Sequence, residues 1–277
     1  MPLRQAIAVG PDKLLKKALP DLKQGPGGTK SSALHRKKYF NGPLEPWPNF
    51  ERDARLHVDA AVQAPNMQTI SWASRVKDTP ATMNIEHFAV GDEGGGGVQG
   101  RTQQNVGQVL GAVCAAVGVD MSFADFKATI GTRIDGKVPD MVCMTNAGGL
   151  RIVGEIKVPW IKNHDIATTL RVGYPRNVSR LFGQIALYMK LANLRYGFLT
   201  TYEQTVFFRQ VVSNGRWVLQ YSDVIKGGTV RKEALNGNYQ DRVTVRECFM
   251  YLMLLANVHH TAVNPLPMAQ WVDQTPV

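Results

Sequence analysis

The chain has 277 residues, 44% hydrophobic and 19% charged, a composition that excludes wholesale disorder. No run approaches the ~18 apolar residues that span a bilayer, and Cys114, Cys143 and Cys248 are too few and scattered for a disulfide framework or thiolate metal cage. The net charge of +10 is segregated: residues 1–40 carry nine basic and two acidic groups, and residues 151–195 carry eight and two. That pattern calls for a polyanionic partner, with nucleic acid the leading candidate and a plain solvated basic surface the alternative.

In chain order, residues 1–45 read as a flexible basic arm, because Gly25-Pro26-Gly27-Gly28 breaks any apolar period. The arm is a phosphate-contacting tail, a nuclear address or a mitochondrial leader; Asp12 and Asp21 count against the last. With no secretory signal discernible, an intracellular setting, nuclear or cytoplasmic, is expected. Trp47 among Pro43, Pro46 and Pro48 opens the folded part, taken as residues 46–262, with 263–277 a C-terminal tail.

A short helix is predicted over residues 50–62. The four-glycine run at 94–97 reads as a linker, since no Gly-Lys-Ser/Thr follows it. A helix is predicted over 99–117, then strands over 127–134, 140–144 and 150–158, the last two joined by a turn at Asn146-Ala147-Gly148-Gly149. A helix over 176–194 has Leu181, Ile185, Tyr188, Met189 and Ala192 at helical spacing. Strands at 196–202 and 205–212, a further one at 215–224, and a buried helix over 243–259 complete the pattern. This is an α/β chain with a central mixed sheet flanked by helices.

The chemistry concentrates where two strands meet. Pro139-Asp140 opens one strand, and Glu155-Ile156-Lys157 closes the next. Period-two alternation puts Glu155 and Lys157 on one face, and the hairpin brings Asp140 toward Glu155. Two carboxylates and an ammonium among Ile152, Val153, Ile156 and Val158 need a compensating partner. Mg²⁺ suits them, being held by one or two carboxylates plus substrate phosphate. Lys157 could orient a water or stabilise charge on a phosphate oxygen, which implies phosphodiester hydrolysis. A solvent-facing salt bridge is the bland alternative for Glu155 and Lys157. Of the other candidates, His164 and Asp165 could rim the site. The adjacent His259 and His260 make a poor chelate, and Asp135 reads as a turn residue.

Pro139-Asp140, then Glu155-x-Lys157, resembles the signature of the PD-(D/E)XK nuclease superfamily. Gln184 and Tyr188, four apart on the following helix, resemble the Q-x-x-x-Y motif of its RecB-like and lambda-exonuclease-like branches. Core packing of Tyr188 is the alternative for that pair. The resemblance spans about residues 99–212 and implies a restriction-endonuclease-like core. It further implies Mg²⁺ or Mn²⁺ on Asp140 and Glu155, catalysis by Lys157 with Gln184 and Tyr188, and DNA rather than RNA as substrate. Arg176, Arg180 and Lys190, on a helix without acids, are the expected phosphate contacts. The pattern departs in one place: many members carry a glutamate on the first core helix, where this chain has Gln104 and Gln108, with Glu86 and Glu93 upstream. That departure leaves an inactive nucleic-acid-binding or interaction module as the alternative.

Overall fold

The computed structural model describes residues 7–22, 24, 38–63, 70–72, 96–130, 134, 136, 138–231 and 242–273. In chain order the strands are β1 (Ile7–Val9), β2 (Tyr39–Phe40), β3 (Leu44–Pro46), β4 (Ile70–Trp72), β5 (Ser122–Ala124), β6 (Met141–Met144), β7 (Leu150–Ile156), β8 (Tyr196–Thr200), β9 (Gln204–Ser213), β10 (Arg216–Tyr221), β11 (Ile225–Lys226) and β12 (Val272–Asp273). The helices are α1 (Pro11–Leu15), α2 (Phe50–Val62), α3 (Gly96–Thr102), α4 (Gln108–Val117), α5 (Ile166–Val172), α6 (Pro175–Leu191), α7 (Val245–Val258) and α8 (Met268–Trp271).

Eight strands form the central sheet, in the order β3-β10-β9-β8-β7-β6-β5 with β11 on β9. It is mixed: β7–β8 and β3–β10 run parallel, and the other pairs antiparallel. Alternating side chains separate two cores. Ile152 and Ile156 of β7 join residues of α1, α2, α4 and α7 on one face. Val153 faces the other, with Leu181, Ile185 and Met189 of α6 and Trp271 of α8. Helices on both faces of a mixed sheet make this an α/β fold.

Several elements sit where alternation and helical spacing predict them, and the departures have local causes. The hairpin turn at 146–149 is present, with Gly148 at φ 81° and Thr145 N bonded to Gly149 O at 2.9 Å; a positive φ of that kind suits glycine. Among the described residues of the strand expected over 127–134, that is 127–130 and 134, none is in a strand. Pairing with β6 falls instead on β5, and Phe126–Ala128 is a 3₁₀ turn. Asp125 caps that turn, its side chain accepting from Lys127 N at 3.0 Å, so the local bond competes with the ladder. Residues 131–133, 135 and 137 lie outside the described residues, and Asp135 with them.

The expected helix over 99–117 begins earlier and is not uniform. α3 starts at Gly96 inside the glycine run read as a linker, and a π-helical turn, Gln103–Gly107, separates it from α4. The two ends of the chain also differ from expectation. Leu14, Leu15 and Leu19, in the stretch taken for a flexible arm, are buried in the core. Residues 23 and 25–37 of that arm are outside the described residues. Trp271 and Val272, in the expected tail, are fully buried, and β12 pairs with β2. Amphipathic pieces of three to five residues are too short for periodicity to reveal. The three cysteines are free and buried.

Candidate active site

The site begins with register. Met141 pairs with Gly154, so Asp140, one residue before β6, stands opposite Glu155. The Asp140 carboxylate is fixed there, because Oδ2 accepts from Ile156 N at 2.8 Å. On the other face of β7, Gly154 leaves room for its β8 neighbour: a Cβ on it would lie 2.0 Å from the Phe198 ring. Lys157 follows β7 directly and is anchored by its N–H to Thr200 O at 2.9 Å.

Glu155 is 2% exposed and Lys157 6%. Lys157 Nζ donates to Glu155 Oε1 at 2.5 Å and to Gln184 Oε1 at 3.3 Å. Gln184 Nε2 donates to Tyr188 OH at 2.8 Å, and Tyr188 OH donates to Val138 O at 3.5 Å. All five residues that the motif resemblance singles out are therefore in one cluster, against the face of the sheet that α6 covers. Helical spacing of four puts Gln184 and Tyr188 on one side of α6, as expected. Glu155 and Lys157 are not the solvent-facing salt bridge of the bland alternative.

The electrostatics are strained in one place. Burial pushes the Glu155 carboxyl up to about 8; the Lys157 ammonium opposes that rise, and the Asp140 carboxylate adds to it. Glu155 Oε2 is buried with no hydrogen-bond partner. The Tyr188 hydroxyl is held above its ordinary value, by burial first and then by the Glu155 charge. Among the described residues no group of three or more His, Cys, Asp or Glu could hold a metal. The oxygens that can bind a hard cation are those of Asp140 and Glu155, and the orphaned Oε2 is a donor of the right type.

Of the predicted phosphate contacts, Arg176 and Arg180 lie on the same side of α6 as Gln184. Their guanidiniums sit 5.9 and 5.7 Å from the Tyr39 ring centroid, and Arg180 donates to Tyr39 OH at 3.3 Å. Arg180 first, and then Arg176, lower the Tyr39 pKa. Lys190 does not join them. Six residues past Gln184, it lies about 120° round the helix, where its Nζ donates to Asn264 O and Leu266 O at 2.8 and 2.6 Å. Its ammonium holds the C-terminal segment, a structural use that the charge count along α6 could not reveal.

The other candidates separate as well. His164 is buried, its Nδ1 2.9 Å from Val158 O, and burial lowers its pKa. Asp165 caps α5 through Thr168 N at 3.0 Å and accepts from Gln204 Nε2, so it serves the fold. Gln108 is exposed, and Gln104 accepts from Arg101 at 3.0 Å. Glu86 and Glu93 are outside the described residues.

Three site neighbours escaped sequence reasoning. Gln99 of α3 donates its side-chain amide to the main-chain carbonyl of Asp140, so the first core helix holds the Asp140 backbone with an uncharged group. Lys38 Nζ lies 5.7 Å from the Tyr188 ring centroid. Tyr39, beside it on β2, meets Arg176 and Arg180. No spacing rule links residues 38–39 to 176–188. Their basic and aromatic character was the one signal available.

Comparison of the chain with protein-family models, with curated proteins and with solved structures yields no match in any of the three. Among the described residues no helix is long and apolar enough to cross a membrane.

Proposed function

We propose that the protein is a divalent-metal-dependent nuclease with a restriction-endonuclease-like core, hydrolysing phosphodiester bonds in DNA. The observation that carries this reading is the convergence of half-buried Asp140 with buried Glu155, Lys157, Gln184 and Tyr188 in one cluster, with a carboxylate oxygen left unpartnered. A buried carboxyl whose ionisation burial opposes and whose second oxygen lacks a partner is expensive to keep for stability alone. Asp140 and Glu155 would hold Mg²⁺ or Mn²⁺, which supplies Lewis acidity toward a phosphoryl oxygen.

The chain's own residues do the rest. Gln184 and Glu155 fix the Lys157 ammonium from two sides, so its charge is preorganised where a phosphate oxygen becomes more negative. Tyr188 locks Gln184 in turn. Lys38, Arg176 and Arg180 put positive charge along α6 and β2, next to that cluster, where a phosphate backbone can be positioned.

Incubation with plasmid and linear DNA in Mg²⁺, Mn²⁺ or EDTA tests the reading. Cleavage that needs metal and is lost in Asp140→Ala and Lys157→Ala is expected. One observation favours a second reading, a nucleic-acid-binding module without activity. Gln99, not a glutamate, meets the Asp140 main-chain carbonyl from the first helix, and among the described residues no third carboxylate joins Asp140 and Glu155. Salt-sensitive DNA binding without cleavage, unchanged in both variants, would establish that module instead.

A further inference from the structure

The turn between α5 and α6 leaves an aromatic ring in solvent. Arg171 to Asn177 are all exposed, and they run from the end of α5 into the first turn of α6. Gly173, at φ 69°, ends α5, and Pro175 starts α6. Tyr174 between them is 64% exposed, and among the described residues it is the one exposed Phe, Tyr or Trp. Val172 beside it is 49% exposed. Among the described residues no side-chain hydrogen bond or ring contact holds Tyr174.

The charge around the ring suits an anionic polymer. Arg171 and Arg176 flank Tyr174 in the chain, Arg180 follows one turn on, and no acid occurs from Ile166 to Arg195. Among the described residues none of these three arginines is in a salt bridge; Arg171 acts on Asp165 by charge alone. The Arg176 and Arg180 guanidiniums lie 5.9 and 5.7 Å from the Tyr39 ring centroid, and Arg180 Nε is buried without a hydrogen-bond partner. The same helix continues to Gln184, which accepts from Lys157 Nζ. From Tyr174 to Gln184 is about 15 Å of helix, the length of about four nucleotides of stacked strand.

We propose that Tyr174 is a stacking platform for an unpaired base, with Arg171, Arg176 and Arg180 holding the adjoining phosphates, so that the substrate is DNA with a single-stranded segment. The inference rests on the proposed nuclease function, because it takes DNA as the partner. A base inside a duplex has both faces covered by its neighbours, whereas an unpaired base offers a face to an aromatic ring. Every base has such a face, so the platform is indifferent to sequence. The planar forks of arginine match phosphate oxygens two at a time.

Binding is measured in EDTA by fluorescence anisotropy, with a labelled single-stranded oligodeoxynucleotide and with the blunt duplex of the same sequence. Tyr174→Ala is expected to weaken single-strand binding about 10-fold and duplex binding less than about twofold. Its Tm should match the wild type, since the side chain is exposed. Tyr174→Phe should keep the affinity and Tyr174→Leu should lose it, because a flat ring is what stacks. The slope of log affinity against log salt should stay the same in Tyr174→Ala and flatten in Arg176→Gln, since only the arginine releases counterions. Wild-type protein that binds neither DNA overturns the proposal. So does an unchanged Tyr174→Ala, an equal loss on single strand and duplex, or full affinity in Tyr174→Leu. Cleavage is assayed separately in Mg²⁺. Cleavage with no Tyr174 effect on binding refutes the platform alone, and a Tyr174 effect without cleavage refutes the nuclease alone.

Discussion

Glu155 sits in an environment that opposes its charge, and this has a measurable consequence. Burial pushes its carboxyl up to about 8 in the folded protein, from an ordinary value of 4.5. Between those values the folded state holds a proton that the unfolded state has lost. Stability of the metal-free protein from this group is therefore greatest below pH 4.5 and declines as pH rises toward 8. Thermal melts in EDTA should show Tm falling across that window, and Glu155→Gln should flatten the fall. Added Mg²⁺ should recover stability most at the alkaline end, where the carboxylate is already ionised. For Lys157→Ala, the proposed nuclease activity predicts a loss of about 100-fold in cleavage rate with DNA binding in EDTA kept, because in that proposal the ammonium acts on developing charge. At this scale the sequence was informative where the rule was local. Glu155 and Lys157 share a face by strand alternation, and Gln184 and Tyr188 by helical spacing. Gln99, Lys38 and Tyr39 were not legible, since each reaches the site from elements separated from it by dozens of residues.

Elements obey the same division. β7, β8, α6 and α7 are long enough for their apolar pattern to show, and they carry the sheet centre and both cores. β2 is two residues long, yet it brings Lys38 and Tyr39 to α6, because Gly183 lets the backbones approach. A Cβ at Gly183 would lie 2.5 Å from Lys38 O. Backbone cannot yield there as a flexible side chain can, so Gly183→Ala should push β2 off the helix. The expected cost is about 1–3 kcal/mol, read as a lower urea midpoint. DNA affinity should fall with it, since Lys38 and Tyr39 move away from Arg176 and Arg180. If affinity is kept while stability drops, β2 is only a packing element.

Across the whole molecule, the N-terminal segment decides whether the α2–α7 face holds together. Charge and glycine content suggested an arm that could be removed, leaving a working core. Leu14, Leu15 and Leu19 are instead buried, and their backbone is used throughout. Thr244 Oγ1 donates to Leu15 O at 2.5 Å, Arg246 to Leu14 O at 3.2 Å, and Tyr202 OH to Pro20 O at 2.7 Å. Arg231 N donates to Lys16 O at 3.1 Å, while its guanidinium ties Asp59 of α2 to Glu247 of α7. Each buried leucine contributes about 1.5–3 kcal/mol, and each donor left unpaired in the interior costs about 1–3 kcal/mol. The total reaches the ~5–15 kcal/mol by which a domain is stable. Deleting residues 1–22 should therefore give a protein that fails to fold or melts far lower, and DNA cleavage should vanish with the fold. Circular dichroism melts of the truncated and full chains check this. A truncated protein that melts like the full chain would show that these leucines are dispensable to the core, returning the segment to the role of a removable basic tail.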